Sequence, residues 1–343
     1  MLNINKAQSI YIDFIRGFSS QMVLIGHLYG FYFLNQSIYI QNFGVVIFFI
    51  LSGHLVTLSG IKLLAENNFN FRFFMIDRFS RIYSGLIPAI LICLILDFVN
   101  LNITNHNEIL FKIENLTFFT AIYSLLNIGG LPNPFEFGLI FEPIGSMRPL
   151  WSVALEWWIY IFFALTLLIF KNKFLSGFLF LLLSLIIIII QISFKMADIA
   201  FFVVTAWLLS SCLVLVNINF FKSKVLSAIF TILFLIGLTK IDVIHFYEPI
   251  LMIPLIGIYF SGLYIVQNVK FNKLFEKISK SLSSFSYSLY LTHYTIIVLL
   301  KPALKMSDMF EIILIFIICN IFALYFYRFF EIRYVKVRKF LKK

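Results

Sequence analysis

The sequence predicts an all-α membrane protein, a polytopic helical bundle of about ten transmembrane helices with both termini in the cytoplasm. Three observations predict it. Of 343 residues, 61% are apolar and only 13% charged, against about 25% charged in soluble domains, and the mean hydropathy is +0.98. Apolar runs recur along the whole chain, each near the ~20 residues that cross a bilayer. Lysine and arginine concentrate in alternate loops. With both ends inside, 20 fall in inner segments and 5 in outer ones, the bias of the positive-inside rule.

The predicted spans follow in order. The first, 9–33, contains Asp13, Arg16 and His27 and no small-residue cleavage site, so it is not a removed signal. The second, 43–60, carries His54, and the third, 80–101, follows the basic phrase MIDRFSRIY. A stretch at 116–127 is too short to cross and reads as interfacial or re-entrant. It lies in the longest outer loop, 102–147, which carries Glu108, Glu114, Glu136 and Glu142 and several glycine and proline breakers. A loop of that length is usually functional or disordered. The fourth span, 148–170, contains Glu156. The next four, 175–194, 198–217, 225–239 and 249–267, are almost wholly apolar. The ninth, 284–301, carries Tyr287, Tyr290 and His293, and the tenth is 308–330. One transmembrane domain, 1–335, therefore precedes a basic cytoplasmic tail, 336–343, suited to anionic lipid.

Several classes drop out. The net charge of +11 does not point to nucleic acid, because the basic residues sit in short loops between apolar runs. Cys93, Cys212 and Cys319 lie within apolar runs without metal-ligand spacing and read as small buried hydrophobes. No internal repeat supports an inverted-repeat transporter.

Ionisable groups inside spans are costly and mark a site by default. Arg16 and His27 are eleven residues apart, about three turns, so they share a helix face about 16 Å apart. Asp13, three residues before Arg16, is placed to pair with it. Glu156 and His27 come to similar depths below the outer surface, where the carboxylate can orient or charge-stabilise the imidazole. Pairing of Glu156 with Arg148 is the structural alternative. His54 and His293 fall in cytoplasmic halves, near the depth of Arg16, where they can line a polar passage with Tyr287 and Tyr290 or simply pack. His106 and His245 fall in outer loops as solvated residues. Arg78 and Arg81 can clamp a phosphate bidentately or serve only as positive-inside anchors.

These pieces stand in one order, and in that order the chain resembles acyltransferase family 3. IYIDFIRGFSSQMVLIGH resembles the family's first-helix signature, with Arg16, ten residues, then His27. GVVIFFILSGHLV resembles its Phe-Phe-x-x-Ser-Gly phrase, and RFFMIDRFSRIYSGLIPA its arginine-rich approach to the third helix. RPLWSVALEWWIY resembles the Trp-Ser…Glu…Tyr phrase through Trp151, Ser152, Glu156 and Tyr160, and SFSYSLYLTH the late phrase through Ser286, Tyr287, Tyr290 and His293. The resemblance runs from about 9 to 335. Departures are Val46 and Ile47 where an acidic residue often precedes Phe-Phe, His54 in a place usually aromatic or apolar, and no proline after the glutamate of FFEIRYVKV.

The resemblance implies a multi-pass O-acyltransferase of the bacterial inner membrane. Acyl-CoA, acetyl-CoA by default, would be the cytoplasmic donor substrate, with no permanently bound cofactor. The acceptor would be a hydroxyl of an envelope polysaccharide or lipid-linked sugar, such as O-antigen, capsule or exopolysaccharide. It casts His27 as base, with Glu156, Arg16 and Asp13 in support. Arg78, Arg81, Arg16, His54, His293, Tyr287 and Tyr290 would hold the donor, and Trp151, Ser152 and Arg148 the acceptor. Membrane lipids are the other expected partners, and self-association is left open. A transporter or exporter of a small or acylated anion is the alternative, because buried charges suit a transport path equally well.

Overall fold

Helix starts in this chain are written by short polar side chains that accept from first-turn amides, which have no acceptor within the helix. Asn5 and Gln8 cap α1 (Lys6–Tyr32) reciprocally, each side chain accepting the other's amide at 2.9–3.0 Å. Thr117 and Thr120 form a capping box on α4 (Phe118–Leu125). Asn172 accepts from Phe174 at the start of α6 (Lys173–Phe194), and Asn272 from Phe275 at the start of α10 (Lys273–Ser284). The computed structural model describes residues 4–33, 40–66, 69–103, 116–131, 140–194, 199–215, 224–239, 249–304 and 308–343.

Among these residues the regular structure is all helical. The remaining α-helices are α2 (Ile40–Ala65), α3 (Phe71–Ile103), α5 (Leu150–Phe170), α7 (Ile199–Leu215), α8 (Lys224–Thr239), α9 (Pro249–Ile265), α11 (Ser286–Ala303), α12 (Asp308–Phe329) and α13 (Tyr334–Leu341). Each predicted span coincides with one helix, and the short stretch at 116–127 is α4, only eight residues long. Six of the described helical runs are long and apolar enough to cross a membrane. They lie in α2, α3, α5, α6, α9 with its 3-10 extension, and the α12–α13 run. The helices α1 and α11 fall below that measure because charged, hydroxyl and imidazole side chains dilute them. The apolar helix α7 is 17 residues long, and the apolar run of α8, Val225–Gly237, is shorter still. His106, His245, Glu108, Glu114 and Glu136 lie outside the described residues.

The chain forms two compact units. The first comprises residues 1–19, 35–71 and 162–283; the second comprises 20–34, 72–161 and 284–343. In the first unit α2 packs on α7, α7 on α6, and α8 on α9. The α2–α7 contact is close because of small residues. A Cβ on Gly53 would sit 2.6 Å from the Trp207 carbonyl oxygen, Thr57 donates to Ser211 at 2.9 Å, and Ser210 donates to the Ile50 carbonyl at 2.8 Å. Small residues and hydroxyl bonds are the ordinary means of helix association in lipid, where apolar contact alone gives no preference. The Ser-Gly phrase of α2 is thus a packing device, with Ser52 also accepting from the Trp207 indole.

In the second unit α11 packs on α12, and Gly85 lets α3 approach α11, its absent Cβ being 2.9 Å from the Tyr287 ring. A buried polar knot fixes the segment that leads into α5. Asp97, 1% exposed, accepts from the Ser146 amide at 2.7 Å and the Cys93 thiol at 3.1 Å. Ser146 donates onward to Thr295 of α11 at 2.8 Å, and Ser124 of α4 accepts from the Ile144 amide at 3.0 Å. Cys93 is therefore more than a small apolar filler. The basic tail is helical in α13, where Lys342 pairs with Asp77 at 2.8 Å and Arg338 lies 3.9 Å from the same oxygen.

Candidate active site

Spacing places the polar residues of α5 and α11 on single faces. Ser152, Glu156 and Tyr160 recur every four residues along α5, and Tyr287, Tyr290 and Tyr294 at intervals of three and four along α11. Both stripes belong to the second unit, and they meet. Ser152 and Tyr290 share a hydrogen bond of 2.5 Å, and both hydroxyls lie within reach of the Pro149 carbonyl oxygen, at 3.2 and 3.1 Å; with one proton each, one hydroxyl donates to the other, whose own proton goes to the carbonyl. The Glu156 carboxylate accepts from the Tyr160 hydroxyl and acts electrostatically on Tyr287 and Tyr290. Tyr287 donates to the Ile82 carbonyl of α3 at 3.1 Å.

His27 enters this unit on the second half of α1. Its ring stacks on His293, with centroids 5.1 Å apart and planes 17° from parallel, and meets Tyr294 edge-on at 5.2 Å. The structure thus corrects the expected depth of His293, which sits with His27 rather than at the level predicted for Arg16. Arg148 bonds Tyr294, and no hydrogen bond joins Arg148 or His27 to Glu156 among the described residues. Trp151 begins the α5 face beside the Gly130 turn, whose φ of +87° suits glycine.

At the other end of the stripes stand Arg78 and Arg81, both half-buried. The Arg78 guanidinium lies over the rings of Phe74 and Tyr160, at 5.1 and 5.6 Å. Arg81 lies over Tyr334 at 5.1 Å and 3.8 Å from Glu331. Glu331, 1% exposed, accepts from Ser288 at 2.6 Å. Aromatic walls and a buried carboxylate are more than an anchor facing lipid headgroups requires. Along α11 the step from Ser288 to His293 is about 8 Å. A ladder of polar groups therefore runs inside one unit from the arginine pair, through Tyr160, Glu156, Ser152 and Tyr290, to the stacked imidazoles.

The other expected residues lie in the first unit. Ser283 donates to Asp13 at 2.9 Å and accepts from Arg16 at 3.4 Å, so a serine of α10 joins the two charges. His54 bonds the Tyr259 hydroxyl at 2.7 Å and is packed edge-on by Tyr259 and Phe260, the setting of a satisfied core histidine.

Sequence reasoning passes over the carboxylates Glu331 and Asp97: Glu331 enters it only through the residue that follows, and Asp97, inside the predicted span 80–101, is not singled out. The available signal in each case is an acid embedded among apolar neighbours. A family model described as an acyltransferase domain matches residues 9–328. No curated protein and no solved structure matches the chain.

Proposed function

The chain belongs to the acyltransferase-domain family, whose model covers residues 9–328, and from that membership we propose a multi-pass O-acyltransferase of the bacterial inner membrane. It moves an acyl group, acetyl by default, from cytoplasmic acyl-CoA to a hydroxyl of an envelope polysaccharide. The 20-to-5 distribution of basic residues supports ten spans with both termini inside. The observation that carries the chemistry is the His27–His293 stack, on the same ladder of polar groups as the arginine pair.

Arg78 and Arg81 hold the donor's phosphates, their guanidinium planes braced by Phe74, Tyr160 and Tyr334. The thioester then lies toward the imidazoles. The acceptor hydroxyl gives its proton to the imidazole centre as its oxygen attacks the thioester carbon. The carbon–sulfur bond breaks, and the departing thiolate takes the proton as free CoA. Ser152 and Tyr290, already bonded to one another, fix the wall beside this centre, and Arg148 with Trp151 borders the acceptor's approach.

Mass spectrometry of surface glycans tests the reading. Cells carrying the protein show an ester-linked acyl group that is absent from cells lacking it and much reduced in cells with His27→Ala. Identical glycans in all three would overturn it.

A further inference from the structure

His293 is 0% exposed. Its Nδ1 lies 2.9 Å from the Leu289 carbonyl oxygen, one turn back on α11. A carbonyl oxygen only accepts, so Nδ1 carries the ring proton and Nε2 keeps a bare lone pair. That Nε2 is buried without a hydrogen-bond partner among the described residues. The nearby hydroxyls are committed elsewhere, Tyr290 to Ser152 and Pro149, and Tyr294 to Arg148. The groups around the ring are His27 of α1 on its face, Tyr290 and Tyr294 of its own helix at 6.0 and 6.4 Å, and Cys319 of α12, whose thiol points to the His293 carbonyl at 3.9 Å. Glu156 of α5 acts on Tyr290. A buried acceptor left empty is costly, and its persistence beside a reactive centre marks an atom that a ligand fills.

We propose that His293 Nε2 is the atom that takes the acceptor's hydroxyl proton, and that His27 supports it through the stack. This rests on the acyltransferase reading and deepens it. The leucine carbonyl sets the tautomer, as a backbone carbonyl does for many working imidazoles. The hydroxyl hydrogen bonds to Nε2, its proton moves there as the oxygen attacks the thioester, and that proton passes from the imidazolium to the leaving thiolate. The second imidazole face, 17° from parallel, stabilises the cation while it exists.

Two variants separate this role from packing. His293→Asn keeps an N–H where Nδ1 was and deletes Nε2; His293→Gln puts an amide near the Nε2 position that cannot take up a proton. Each whole protein is purified in lipid nanodiscs and its affinity for acetyl-CoA measured by calorimetry. Ester formation in cells is read as alkali-released acetate per inserted protein. Both variants are expected to bind acetyl-CoA within about threefold of wild type and to lose about 100-fold or more of ester formation. Ester formation within about threefold of wild type in either folded variant overturns the inference. Nitrogen NMR of histidine-labelled wild type provides a readout that does not require either variant to fold. It is expected to show a histidine with protonated Nδ1 and bare Nε2, and a pattern in which every Nε2 is protonated overturns the proposal. A wild type that forms no ester removes the parent reading and this one with it. An active wild type with active variants removes this one alone.

Discussion

Replacing Glu331 with glutamine tests whether the arginine pair is held in place for a ligand. The amide oxygen introduced by Glu331→Gln still accepts from Ser288, so the packing survives while the negative charge facing Arg81 disappears. Removing one partner of a fully buried pair costs about 3–5 kcal/mol, whereas exposed pairs are worth about 1 kcal/mol or less. Here Glu331 is 1% exposed and Arg81 41%, with 3.8 Å between the charges. Water therefore screens part of the interaction, and about 1–2 kcal/mol is at stake. If Arg81 grips the donor, loss of its orienting carboxylate raises the donor KM by roughly tenfold, at about 1.4 kcal/mol per factor of ten. The turnover number stays near wild type, because Glu331 is at the arginine end of the ladder. The assay follows CoA release from acetyl-CoA by purified protein across donor concentrations. An unchanged or lower donor KM would mean that Arg81 does not grip the donor.

Three further outcomes are expected. Changing Arg78 and Arg81 together to glutamine raises the donor KM more than Glu331→Gln does, and an unchanged KM would return the pair to membrane anchoring. Gly53→Ala drives a methyl to 2.6 Å from the Trp207 carbonyl and destabilises the α2–α7 contact by about 1–3 kcal/mol, visible as a lower thermal midpoint in detergent; an unshifted midpoint would contradict the close approach. On the exposed helix α10, hydrogen bonds from Lys280 and then Lys6 hold the Glu276 carboxyl below its usual range. Its contribution is present above the ordinary glutamate pKa of about 4.3 and is lost as pH falls through the lowered value, so Glu276→Gln flattens the acid limb of the stability curve; an identical limb in both proteins would remove the claim.

The helices are legible in the sequence because apolar run length is a local property of the chain. So are the stripes on α5 and α11, which follow from spacing alone. Partner choice is not legible. Asp13 and Arg16 stand three apart on one helix, yet Ser283, about 270 residues away in sequence, hydrogen-bonds to both. Depth matches His27 to Glu156, but depth along a helix leaves rotation about its axis free, and the ring faces His293 instead. Tyr160, on the same helix as Glu156 and one turn away, reaches that carboxylate first. Glu331 and Asp97 escape because enclosure by other helices leaves no mark on the local sequence of an acid four residues inside a predicted span or just beyond its end. Only the packed neighbours reveal that both are enclosed.

Acyl transfer at the imidazole centre is read in purified protein in detergent, given acyl-CoA, a glycan acceptor and no membrane gradient. Wild type is expected to release one CoA thiol for each ester formed, and correctly folded His27→Ala, having lost the stacked ring that steadies the imidazolium, to form ester about tenfold more slowly or worse. Ester formation by His27→Ala at the wild-type rate, or a wild type inert without a gradient, would contradict acyl transfer at this centre.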